Sequence, residues 1–304
     1  MILPSTGQYD YHYKVDDTFT GTLKDMLMQK YDYSSRLLSQ IRKSGCIAIN
    51  HKDCWLDAPV HLGDLVTITF PKEKLDIKPM EGPLHIVYED DEVIVLNKGP
   101  NCVTHPTKSH QEDTLANFIA FYWQKCGTVS KIRFVNRLDM DTTGLVIVAK
   151  NKYVNHYIQS RMKTDMVKKT YLAFVNGVPE KDEGTICAPI GRPSEDSFER
   201  IVMSSGKEST THYKVLEHYK NAALLKLVLE TGRTHQIRVH LRHIGYPIIG
   251  DSLYNCDENN CYGMKRQALH ATQLNLILPK RGELKLTAEL AEDLKELQNT
   301  LRKE

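Results

Sequence analysis

Residues 134–150 read FVNRLDMDTTGLVIVAK. From Gly144 to Ala149 the run is wholly apolar, the pattern of a strand buried on both faces. Just ahead of it stand Arg137, Asp139 and Asp141, followed by the turn residues Thr142, Thr143 and Gly144. A turn needs one Asp or one Gly. It does not need a guanidinium and two carboxylates at the mouth of a buried strand. An Asp-rich turn with Arg137 paired to an acid is the plainest account, but it does not explain why the charged cluster recurs elsewhere.

The recurrence lies in residues 230–251, ETGRTHQIRVHLRHIGYPIIGD. Thr234 reads as an N-cap, and Ile237, Leu241 and Ile244 form one apolar stripe of a helix. Arg238 and Arg242 fall four apart on another face. Arg233 precedes the helix, where its guanidinium could reach forward to a carboxylate. A third stretch, KKTYLAFVNG at 168–177, starts a strand at Tyr171 just after Lys168 and Lys169. Taken singly, these are an amphipathic helix with a wet basic face and a tyrosine that packs.

Around these stretches the chain looks like an ordinary soluble protein of 304 residues, 41% hydrophobic and 26% charged. It can bury a core without disulfides or metals. A net charge of +2 announces no global basic field, so any nucleic-acid face would be local. The seven cysteines contain no Cys-x-x-Cys, and Cys256 and Cys261 lack a second pair, so no metal is expected. An odd cysteine count and the absence of a leader-like N-terminus point to reduced thiols and a cytoplasmic address. No run approaches the length of a membrane helix.

Residues 18–71 read as a small helix–helix–strand–strand α/β unit. Thr22 caps a helix carrying Leu23, Met26 and Leu27. Ser34 or Ser35 starts a second, with Leu37, Leu38 and Ile41 inward and Arg36, Gln40 and Lys43 on the other face. CIAIN and LVTITF follow as strands. Residues 72–84 read as a linker rich in charge, Pro and Gly, and residues 85–304 as a second domain. There Thr114 caps a helix, another covers about 152–161, and STTHYKVLEHY and AALLKLVLE form an antiparallel pair. The expected fold is α+β with a mixed, largely antiparallel sheet.

RLDMDTTGLVIVAK, KKTYLAFVNG, TGRTHQIRVHLRHIGYPIIGD and RQALHATQLNLILP, in that order and spacing, resemble the RluA-type pseudouridine synthases. The N-terminal unit resembles the S-four-like RNA-binding module, although the usual glycine after Asn50 is here His51. The synthase resemblance departs at Asn136, where the family usually has His, and in the NCDENNC segment after Tyr254.

The resemblance implies the pseudouridine synthase fold and isomerisation of uridine in structured RNA, chiefly large-subunit ribosomal RNA, with transfer RNA as the alternative. That reaction needs no cofactor. Asp139 would be the catalytic carboxylate, either attacking the anomeric carbon or removing the adjacent sugar proton. Arg233 would be its basic partner, since a neighbouring guanidinium favours the ionised form. Tyr171 would stack on the target base, and Arg137 would fill the gap the flipped base leaves. Arg36, Arg42 and Lys43 would meet RNA phosphates, as would Arg238 and Arg242, one of which could be structural instead. Asp141 and Thr142 would shape the turn. A monomer is the default state. Two other classes stay open on the residues alone: an RNA-binding or ribosome-assembly factor without catalysis, and a glycosidase using Asp139 and Asp141 as its carboxylate pair.

Overall fold

The computed structural model describes residues 2–3, 10–17, 19–71, 73–107, 110–128, 130–162, 164, 166–255 and 260–304. Thr18, where the sequence pattern starts the N-terminal unit, and Cys256 lie outside them, as does most of the NCDENNC segment.

The N-terminal unit builds on helices α1 (Leu23–Gln29) and α2 (Ser35–Ser44). Thr22 and Asp25 cap α1 reciprocally, and the Ser34 hydroxyl accepts from the Leu37 amide at the start of α2. Behind them lies an antiparallel sheet in the order Ile2–Leu3, Asp10–Lys14, Leu65–Thr69, Cys46–Ile49, Lys52–Asp53. The unit therefore starts well before residue 18. The Leu65–Thr69 strand has two edges, and Asp10–Lys14 takes the one that Cys46–Ile49 leaves open. Tyr11 and Tyr13 alternate inward from it, fully buried.

Nor is this unit a bead on a free linker. Tyr33 stacks on Tyr153 of the second domain at 4.2 Å, and the Tyr153 hydroxyl donates to the Tyr31 carbonyl at 2.8 Å. One apolar cluster runs from Leu23 and Ile68 through to Val95, Ile147 and Leu274. The stretch read as a linker has no regular structure over 73–84 but is strapped down. Glu73 pairs with Arg133, Asp76 with Lys131, and Leu75, Ile77 and Leu84 pack on the second core.

The second domain is a ten-stranded sheet. Its main path runs Glu183–Cys187, Thr210–His218, Ala222–Leu229, Val167–Asn176, Leu269–Leu278, Thr143–Ala149, Val93–Lys98, Ile86–Glu89. Every pairing is antiparallel except that of Thr143–Ala149 with Leu269–Leu278, so the sheet is mixed and largely antiparallel, as expected. Helices α3 (Leu115–Lys125), α4 (Lys152–Ser160), α5 (Gln236–His243) and α6 (Glu292–Leu301) pack on it. At the parallel seam the backbones close so tightly that Gly144, at φ +111°, has no alternative. A Cβ there would sit 2.2 Å from the Ala271 carbonyl oxygen. Among the described residues no helix is long and apolar enough to cross a membrane.

Candidate active site

The turn carrying Asp139 enters the Thr143–Ala149 strand at this seam, and its backbone is held at nearly every carbonyl. Buried Lys98 donates to the carbonyls of Met140, Gly99 and Cys102 at 2.7–3.0 Å. Thr104 donates to the Leu138 carbonyl and Arg266 to the Asp141 carbonyl. Burial lowers the Lys98 ammonium to about 8. Asn136 uses its amide as a strand staple, donating to the Leu145 carbonyl and accepting from the Ile147 amide.

Asp141 belongs to this scaffold. Its carboxylate accepts the Asn101 N–H at 3.1 Å, and it lines a separate groove with Met140, Lys265 and Arg266. The two aspartates do not share one cleft, which removes the paired-carboxylate reading.

Asp139 faces an open cleft that Arg137, Thr142, Tyr171, Arg233, His235 and Arg238 help to line. Its partner is not Arg233. Arg238, on α5, donates from Nη1 to Asp139 Oδ2 at 3.1 Å and grips Asp251 with Nε and Nη2 at 2.7 and 2.8 Å. Arg238 is 7% exposed and Asp251 wholly buried, so Arg238 is no surface phosphate ligand. Burial works against its charge, but bonds to Asp251 and the field of both carboxylates outweigh it and push its pKa up. Asp251 also accepts the amides of Leu253 and Tyr254. A buried fork–fork pair thus fixes the arginine, which leaves one nitrogen to aim Asp139.

The start of α5 explains the exchange of arginines. Thr234 is not the N-cap; His235 is, in the left-handed region at φ 56°. Buried Gln236 locks the turn. Its carbonyl oxygen accepts from the Arg233 amide and the Thr231 hydroxyl, and its NH₂ donates to the Thr210 carbonyl and the Thr211 hydroxyl. Pinned so, Arg233 lies at the rim, its Nε donating to the Glu208 carbonyl at 3.2 Å.

One further group in the cleft is not legible in the sequence pattern. His235 places Nε2 3.9 Å from Asp139 and binds the Tyr254 hydroxyl through Nδ1 at 2.8 Å. Burial lowers its pKa, helped by Arg238 and opposed by Asp139, which favours a neutral ring. Tyr171 sits on the Val167–Asn176 strand beside a register shift, 6% exposed. Burial, then the charge of Asp139, raise its hydroxyl well above the usual range, so it is a neutral phenol at working pH.

The remaining expected contacts divide. Arg137 is exposed at the cleft mouth. Arg36 and Lys43 are exposed on α2. Arg42 donates to the Cys54 carbonyl and stacks 3.5 Å over the Trp55 ring, itself 70% exposed.

Comparison with known proteins shows the family. Residues 92–243 match the RNA pseudouridylate synthase family. An uncharacterised RNA pseudouridine synthase of Bacillus subtilis is 37% identical over 277 residues, covering 90% of this chain and 91% of its own. Ribosomal large subunit pseudouridine synthase D of Haemophilus influenzae is 38% identical over 277 residues, covering 82% and 85%. Among solved structures, human RNA pseudouridylate synthase domain containing 4 superposes with a TM-score of 0.59 at 25% identity, over 72% of this chain and 93% of that one. The chain belongs to the RNA pseudouridylate synthases of the RluA type and is an isomerase acting on RNA.

Proposed function

We propose that this isomerase converts uridines of large-subunit ribosomal RNA to pseudouridine with Asp139 as the reacting carboxylate. The observation that carries the reading is the arrangement of Asp139: partly exposed in the cleft, aimed by Arg238 from beneath, with the neutral Tyr171 phenol in the same cleft. An ionised, oriented Asp serves either route, attack on the anomeric carbon or removal of the adjacent sugar proton. Tyr171 stacks on the base and keeps a proton to exchange at carbon 5. Arg137 stands where a side chain could fill the gap left by an extruded base; unstacking costs a few kcal/mol. No step in this isomerisation requires a redox group.

The ribosomal substrate is supported by the large-subunit synthases among the relatives and by the exposed cations of α2, which suit a folded RNA read by shape. Residues 10–71 act in this reading as an RNA-binding module, the protein works as a monomer in the cytoplasm, and transfer RNA is the competing substrate. Mapping pseudouridines in total RNA from cells with and without the gene tests it. Sites lost from large-subunit RNA are the expected result. Sites lost only from transfer RNA would reassign the substrate, and no lost site would refute the reading.

A further inference from the structure

Lys169 has no part in the chemistry above. It stands two residues before Tyr171 on the Val167–Asn176 strand, so both side chains leave the same face. It is half-buried. Burial alone pulls its ammonium below the usual lysine range, with no carboxylate opposing the shift. Cations in such places are normally paired, yet among the described residues this one has no hydrogen bond or ion-pair partner.

Beside it runs a groove of about 370 Å³, lined in part by Gln159, Lys169, Glu230 and Arg233. Leu229 and Arg233 also line the cleft of Asp139, so groove and cleft meet. Arg233 brings a second cation. Its Nε is held by the Glu208 carbonyl, while its terminal nitrogens have no partner among the described residues. The acid in the groove, Glu230, is engaged by His212 Nε2 at 2.6 Å.

We infer that Lys169 and Arg233 form a phosphate subsite that holds the RNA backbone next to the uridine in the cleft. The inference rests on the isomerase reading, since a nucleotide entering the cleft carries a phosphate on either side of its sugar. With the uracil against Tyr171 and its ribose at Asp139, a flanking phosphate falls toward the rim, where the groove begins. A partly desolvated ammonium left without an anion is unfavourable in the free protein, and a phosphate relieves it on binding. The subsite also gives Arg233, displaced by Arg238 from the carboxylate, a role at the rim.

The test uses full-length protein and an in vitro transcript of large-subunit ribosomal RNA. Dissociation constants are measured between about 50 and 200 mM salt, with thermal melts alongside. Lys169→Met should flatten the log–log salt slope by about 0.7–0.9, Lys169→Arg should keep it, and Lys168→Met, on the opposite face, should keep it too. Lys169→Met should melt no lower than wild type, because it removes an unpaired charge. A wild-type slope in Lys169→Met overturns the subsite, and so does equal flattening by Lys168→Met. Pseudouridine formation in the same transcript is read separately. Wild-type turnover with an unchanged slope would sink the subsite alone, whereas a wild type that makes no pseudouridine would sink the isomerase reading itself.

Discussion

The cleft and the outer face of α2 both carry arginines, and they use them in opposite ways. Arg238 is almost wholly buried and makes three bonds to two carboxylates. Arg266 nearby is buried too, held by both oxygens of Asp293. On α2, Arg36 and Lys43 are exposed with no partner among the described residues. A buried guanidinium acts through position, because its fork geometry cannot change without stranding a charge. An exposed cation acts through its field, which salt screens. Substitutions in the two regions should therefore fail in different observables.

The sharpest break is at Asp139. Asp139→Asn keeps the shape and a hydrogen-bond acceptor for Arg238 but removes the ionised oxygen. Isomerisation should fall by about 10²–10⁴-fold, with RNA affinity within a few-fold of wild type. Single-turnover assays beside binding titrations separate the two, and parallel loss of both would remove Asp139 from the chemistry. Asp251→Ala should act on stability instead. It leaves Arg238 buried with most of its partners gone, at a cost of about 3–5 kcal/mol. A chemical-denaturation midpoint close to wild type would mean that the pair is not what fixes the arginine.

Which of these partners can be read from sequence follows from how far each depends on tertiary structure. Tyr171 stands out only through the family resemblance, whereas Asp139 and the two arginines stand in runs whose charged residues are unusual together, so they are visible. The choice between Arg233 and Arg238 is not. It turns on a left-handed residue at His235 and on the Gln236 amide, which draw the helix start one residue later and hold Arg233 at the rim. Asp251 closes the same run as both arginines, yet it looks like a loop residue until the fold buries it against Arg238. The Asp10–Lys14 strand escapes because DYHYK is half polar, and its reason for pairing is an open edge far along the chain. The strapped 73–84 segment looks flexible by composition; the ion pairs that hold it are long-range.

Between the two regions lies a joint that should respond to pH. Glu92 is 1% exposed, accepts from the Tyr11 hydroxyl of the N-terminal unit at 2.8 Å and from the Lys280 amide at 2.9 Å. Burial, with Asp90 adding to it and those two donors opposing, raises its carboxyl to about 7. A carboxyl whose folded pKa is raised binds its proton more tightly in the folded state. Its contribution is full below the unfolded value near 4.5 and is lost as pH rises through 7, by up to roughly 3 kcal/mol. Wild type should thus lose stability between pH 5 and pH 8 relative to Glu92→Gln, followed by denaturant midpoints across that range. Identical pH profiles would show that Glu92 is not desolvated at the joint.

The smallest effect is expected on α2, and its signature is a slope rather than a size. Arg36→Glu with Lys43→Glu reverses two charges on a solvated face and touches no core side chain, because Leu37, Leu38 and Ile41 point the other way. The melt and the single-turnover rate at saturating RNA should stay near wild type. Affinity at low salt should drop, and the log–log salt slope should flatten by about 0.7–0.9 for each phosphate no longer neutralised. At high salt the wild-type and variant curves should converge, since screening removes from both what the substitution removed from one. An unchanged slope would take α2 out of the RNA footprint. A lowered rate at saturation would mean instead that these cations help place the substrate, and the division between buried position and exposed field would not hold for this face.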